Sequence, residues 1–96
     1  MNTFSYRSAP DLQWTVETTG LLLVRPATGV CQSLKYPEAA LWDFLTRGHG
    51  LSKVTKMMRY IGGFRDETEA AEYIQDRLRM WVQAGLVVEH VNEAHE

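Results

Sequence analysis

The sequence predicts an α+β fold in which three strands come first, three helices follow, and a short strand closes the chain. Three observations carry this reading. Short apolar runs suited to strands fill the chain up to Lys35. Beyond Pro37 the apolar residues recur at helical spacing. Turns rich in Gly and Pro separate the runs. Ninety-six residues, 45% hydrophobic and 23% charged, fit a single soluble domain over residues 1–96 with an ordered core of about 12–88. Such a chain buries a modest core and has little room for a deep cofactor cavity.

Met1 to Pro10 mix polar and aromatic residues without a period and read as a loose arm, with Phe4 or Tyr6 packing onto the domain. Leu12, Trp14 and Val16 then alternate with Gln13, Thr15 and Glu17, the pattern of a half-buried strand. Thr18-Thr19-Gly20 is a turn signal. Leu21 to Val24 is continuously apolar, as expected of a central strand covered on both faces. Pro26-Ala27-Thr28-Gly29 suits a hairpin loop with Gly29 at positive φ. The third strand spans Val30 to Lys35, with Val30, Gln32 and Leu34 on one face. In a meander this strand lies at an edge, where unpaired backbone groups can take up an extended peptide.

Pro37 suits the first position of helix 1, where a missing N–H costs nothing. Leu41, Phe44 and Leu45 give that helix its apolar stripe, and Gly48-His49-Gly50 ends it. Leu51, Val54, Met58 and Ile61 mark helix 2, which stops at Gly62-Gly63. Helix 3 opens on Asp66 with Glu69 three residues on, a capping arrangement. Glu67, Glu69 and Glu72 crowd its start and Arg77 and Arg79 lie nearer its end, complementing the helix dipole. Ile74, Leu78, Trp81 and Val82 form its core stripe, and Gly85 terminates it. Leu86 to Val91 reads as the last strand.

Catalytic signals are sparse. Cys31, the one cysteine, cannot form an intramolecular disulfide, fits a reducing cytoplasm, and reads as a small packing residue. His49 reads as a solvated residue of an interhelical turn. His90 and His95 with Glu89, Glu93 and Glu96 lack the spacing of a helical metal pair, so no metal or other cofactor is expected. Gly62-Gly63 lacks the context of a phosphate loop. No apolar run reaches the roughly 18 residues of a membrane span, and the N-terminus lacks a signal-peptide core. A net charge of −2 weighs against a dominant role on nucleic acid.

Binding signals are stronger. Tyr73, Arg77 and Met80 stand at i, i+4 and i+7 on helix 3, beside its core stripe. Two readings stand. In one, Tyr73 and Met80 widen the core and Arg77 is solvated. In the other, the three form a groove wall with a charged head for an acidic side chain.

The run Leu34-Lys35-Tyr36-Pro37-Glu38-Ala39-Ala40-Leu41-Trp42-Asp43-Phe44-Leu45 and the ending Ala84-Gly85-Leu86-Val87, after three strands, resemble the PqqD-like family. These are small proteins related to the pyrroloquinoline quinone biosynthesis protein D. Their fold, the RiPP recognition element, serves ribosomally made, modified peptides. The resemblance covers roughly Leu12 to Val88, mostly at core positions. Lys35-Tyr36-Pro37 departs from the Asn-containing helix start usual in the family. The resemblance implies a winged helix-turn-helix-like domain with an N-terminal three-stranded antiparallel sheet. It also implies a peptide chaperone that binds the leader of a precursor peptide as an added strand. The peptide would then be presented to a modifying enzyme, commonly a radical SAM enzyme. Mapped here, the peptide-binding residues are Val30, Cys31, Gln32, Ser33, Leu34 and Lys35 on the edge strand and Tyr73, Arg77 and Met80 on helix 3, with no catalytic residue.

Two rivals compete. A winged-helix DNA-binding protein would read bases with helix 3, but Asp66, Glu67, Glu69 and Glu72 at its start would repel phosphates. A regulatory protein-interaction module is the other, and the doubly apolar second strand offers it a homodimer surface. An enzyme acting alone is not expected, because no convergent catalytic set is visible.

Overall fold

A computed structural model describes residues 2–93 of the chain, and the side chains of 6–89. The elements run β1 (Asn2–Ser8), β2 (Gln13–Glu17), β3 (Gly20–Arg25), β4 (Val30–Lys35), α1 (Glu38–Thr46), α2 (Leu51–Ile61), α3 (Glu67–Gln83) and β5 (Val87–Glu93). An antiparallel meander in the order β2-β3-β4 precedes the three helices, and β1 pairs β5 in a separate two-stranded ribbon. This is the expected α+β, winged helix-turn-helix-like arrangement. Its wing departs from expectation, because Asn2–Ser8 is a strand rather than a loose arm. Phe4 lies opposite Val91 and Tyr6 opposite Glu89. Neither segment is strongly patterned alone; each supplies the other's backbone partners.

The core lies between the meander and the helices. Leu21, Leu23 and Leu34 project into it from the sheet, and Leu41, Trp42, Val54, Met58, Ile74, Leu78 and Trp81 from the helices. Full burial of one Leu contributes roughly 1.5–3 kcal/mol. Trp42 is 0% exposed and stands edge-on to Trp14 at 5.7 Å and to Trp81 at 5.3 Å. Edge-to-face contacts of this kind add to the burial itself. The ring therefore joins the sheet to α3 through α1.

The middle strand differs from its sequence reading. Leu21 and Leu23 are buried, but Leu22 and Val24 on the opposite face are only half-buried. The helices cover one face and nothing among the described residues fully covers the other. All five residues of β2 are exposed, so that strand is less buried than its alternation suggested. Gly20 has a packing role besides its place at a turn, since a Cβ there would run into the carbonyl oxygen of Leu34.

α3 starts as its sequence dictates. The Asp66 carboxylate accepts from the Glu69 amide at 2.9 Å, and Glu69 accepts from the Arg65 amide at 3.0 Å. The first bond satisfies a donor that the helix start leaves free, and the second holds the residue that precedes the cap. Gly85, at φ +73°, follows the helix where the left-handed conformation favours glycine. Val82 is 43% exposed and is not core, whereas Ala70 is fully buried. No basic residue stands in the last turn. Pro37 occupies the N-cap of α1, one position before the helix. Ile61 of α2 is exposed. No helix among the described residues is long and apolar enough to cross a membrane.

Candidate functional site: the β4 edge and α3

β4 pairs only with β3 among the described residues, so one side of its backbone is open. The register shows which groups face outward. The Thr18-Thr19 turn closes on the pair Glu17↔Gly20. In an antiparallel ladder, alternate residues direct both N–H and C=O to the same neighbour. Counting from that closing pair, Gly20, Leu22 and Val24 serve β2, while Leu21, Leu23 and Arg25 serve β4. Their partners are Leu34, Gln32 and Val30. The amides and carbonyls of Cys31, Ser33 and Lys35 therefore point away from the sheet.

The side chains divide by the same alternation. Val30, Gln32 and Leu34 share the core face with Leu21 and Leu23, but only Leu34 is buried, at 1% exposure. Leu34 thus offers a peptide its backbone neighbourhood and not its side chain. Cys31 is exposed, contrary to its reading as a packing residue. It lies opposite Val24 on the outer face, which nothing among the described residues fully covers.

Two polar contacts link α3 and the turn after it to residues that flank β4. Arg25, opposite Val30 at the hairpin, donates to the Gly85 carbonyl at 2.9 Å and pairs with Asp11 at 2.9 Å. Arg77 of α3 reaches Glu38, just past the other end of β4, at 3.6 Å. Arg25 ends β3, Gly85 lies two residues past α3, and Glu38 opens α1, so the two contacts join α3 to the elements that flank β4. Tyr73, Arg77 and Met80 fall on the stretch so placed. Met80 is 49% exposed and Tyr73 is half-buried against Phe64, with ring centroids 5.1 Å apart.

Arg77 is not the free cation that the groove-wall reading suggested. It donates to Asp76 at 2.8 Å, lies 5.7 Å from the Tyr73 ring centre, and faces Glu38. Its Nε is buried with no partner. The Asp76 hydrogen bond raises its pKa further, burial opposing and Glu38 assisting. Burial raises the Tyr73 pKa, with Glu38 adding and Arg77 subtracting. Two carboxylates, Glu38 and Asp76, thus already engage the Arg77 cation on this face of α3.

Sequence reasoning missed Arg25 and Glu38, which place the wall. An Arg ending an apolar strand and an acid opening a helix were available signals, but each needs a distant partner to mean anything. Two further readings change. His49 is half-buried, with its ring 6.3 Å from Phe44, and is not simply solvated. The metal reading falls partly outside the described residues, which exclude His95 and Glu96 and the side chains of His90 and Glu93. Among those described, no three His, Cys, Asp or Glu residues cluster as metal ligands.

No protein-family profile matches this chain, and no curated protein matches it. A solved structure of a lasso peptide synthetase B1, complexed with the leader peptide, is similar in fold. The TM-score is 0.76 at 18% identity, over 88% of this chain and 98% of that one. At that identity the likeness bears on architecture, and it agrees with the α+β, winged-helix-like arrangement.

Proposed function

We propose that this chain is a non-catalytic RiPP recognition element. It captures the leader of a ribosomally made precursor peptide as a strand added to β4 and presents it to a modifying enzyme. The observation that carries the reading is the open β4 edge, flanked by the Arg25–Gly85 and Arg77–Glu38 contacts. The fold likeness to a synthetase component complexed with a leader peptide supports it, as does the PqqD-like pattern from Leu34 to Leu45.

In this mechanism the backbones of Cys31, Ser33 and Lys35 pair with the leader and set its register. Such pairing is nearly blind to side chains, so selectivity must come from the leader residues that reach Val30, Gln32 and the Tyr73–Met80 face. Burying two or three aliphatic side chains contributes roughly 1.5–3 kcal/mol each. Ordering a flexible segment offsets several of these. With the main-chain pairing to β4 added to this burial, we expect a dissociation constant of about 1 μM, which suits an adaptor that must release its cargo. The PqqD-like pattern favours a radical SAM enzyme as partner. The lasso peptide synthetase likeness favours a lasso-type maturation enzyme as the second reading.

The test is titration of the isotope-labelled protein with the N-terminal segment of a precursor peptide encoded beside its gene. Amide shifts concentrated in β4 and α3 are expected. Ser33→Pro removes an outward N–H without removing a bond to β3, a position where an edge strand accommodates proline. The folded variant should lose binding. Undiminished binding by it would sink the strand-addition mechanism. Salt-sensitive binding to random duplex DNA would instead favour the winged-helix DNA-binding reading, against which the acids opening α3 argue.

A further inference from the structure

The meander has a second open edge. β2 pairs only with β3 among the described residues, and the same counting sends the backbone groups of Trp14 and Val16 outward. Their side chains lie on the core face, yet Trp14 is 38% and Val16 70% exposed. Beside Val16 lies a groove of about 320 Å³ lined in part by Leu21, Tyr36, Phe44 and Ile61. Tyr36 and Ile61 are themselves more than half exposed. An unprotected strand edge next to an apolar groove is what natural sheets ordinarily block with a charge, a bulge or a proline. β2 carries none of these at its centre.

The occupant is specified by β2 itself. Its sequence is Gln13-Trp14-Thr15-Val16-Glu17. Laid antiparallel against a copy of itself about a two-fold axis at Thr15, Trp14 meets Val16, Thr15 meets Thr15, and Gln13 meets Glu17. Trp14 and Val16 are the residues with outward backbone groups, so they become the hydrogen-bonded pairs and complete the ladder. An aromatic residue opposite a β-branched one and Thr opposite Thr are favourable cross-strand pairs, and no like charges oppose. Trp14 of each copy also arrives at the mouth of the groove beside Val16 of the other.

We propose that β2 is a self-complementary edge through which two copies of this chain pair into a two-fold dimer with one continuous six-stranded sheet. The order is β4-β3-β2-β2-β3-β4, so both β4 edges stay free at the outer ends. The contact is isologous and closed, so it does not propagate. Pairing five-residue strands buries less than a standard interface of ~1,600 Å², so the association is weak and concentration-dependent.

Sedimentation velocity of the reduced full chain, from about 1 μM to about 1 mM, tests this. The mass should rise toward that of a dimer, and Val16→Lys should weaken association at least ~10-fold. Val16 is largely exposed, so a native circular dichroism spectrum is expected of this variant. A second variant fixes the register. Only a residue on the axis meets itself, so Thr15→Cys in a Cys31→Ser background should cross-link with oxidised glutathione. A Thr18→Cys counterpart should not. A monomer at every concentration overturns the proposal. So does a Val16→Lys variant that dimerises as well as the parent, or a Thr15→Cys chain that does not cross-link.

Discussion

The two open edges of the meander share a backbone and differ in what stands beside them. β4 has beside it a polar wall, Glu38 with Arg77 of α3, and three of its six residues are polar or charged. β2 has no such wall, exposes Trp14 and Val16, and borders an apolar groove. An edge beside a rigid polar wall suits a foreign extended segment whose side chains are sampled one by one. An edge whose own sequence is its complement suits a second copy. The surroundings of a strand, rather than its free amides, decide what it recruits.

Experiments can break this contrast or sharpen it. The largest effect should come from Trp42, which stands between Trp14 and Trp81. Trp42→Ala should cost about 3–5 kcal/mol of stability in denaturant titration and impair both edges together. If one edge kept full function at low denaturant, the idea that this ring joins sheet to helix would be wrong.

The crossed pair comes next. Ser33→Pro should reduce leader affinity at least ~10-fold, about 1.4 kcal/mol, and leave self-association alone, whereas Val16→Lys should do the reverse. Parallel loss in both assays would mean that the edges are coupled. Met80→Asp places a charge on a half-exposed residue of the proposed leader-binding face. A several-fold loss of leader affinity without a change in melting temperature is expected, to be read by calorimetry.

Smaller still is the cap. Asp66→Ala should remove about 1 kcal/mol, with increased hydrogen exchange confined to the first turn of α3 and the β2 edge unaffected. The smallest effect belongs to the wing. Tyr6 donates to Glu89 at 3.1 Å, and its pKa is raised, first by burial and then by that carboxylate. The fold therefore favours neutral Tyr6. This contribution is complete below the ordinary tyrosine pKa of about 10 and is lost as pH rises through the higher folded value. Tyr6→Phe should flatten the pH dependence of stability above about pH 10, while the parent declines.

Much of this architecture was legible one residue at a time. The bounds of β4, α2 and α3 follow from Gly29, Gly50, Gly62 and the Asp66–Glu69 cap, all local signals. β1 was not legible, because its partner stands about eighty residues away at β5. The open edge was foreseeable from strand order, but the state of Arg77 was not. Its i, i+4, i+7 spacing with Tyr73 and Met80 marks a face and carries no information on Glu38, which meets it from another helix. Val82 and Cys31 failed for a related reason, since periodicity gives a side of an element and not what covers that side.

By itself the sequence determined the order of elements from β2 onward, most of their caps and turns, and which residues seek a core. These depend on backbone preferences and on apolar spacing within a few residues. Only the tertiary structure decided that β1 pairs β5, which face of β3 is covered, and that Arg25 and Arg77 join α3 and the turn after it to the elements flanking β4. Those outcomes depend on groups far apart in the chain meeting in space, where a charge or an amide takes its meaning from the neighbour it finds.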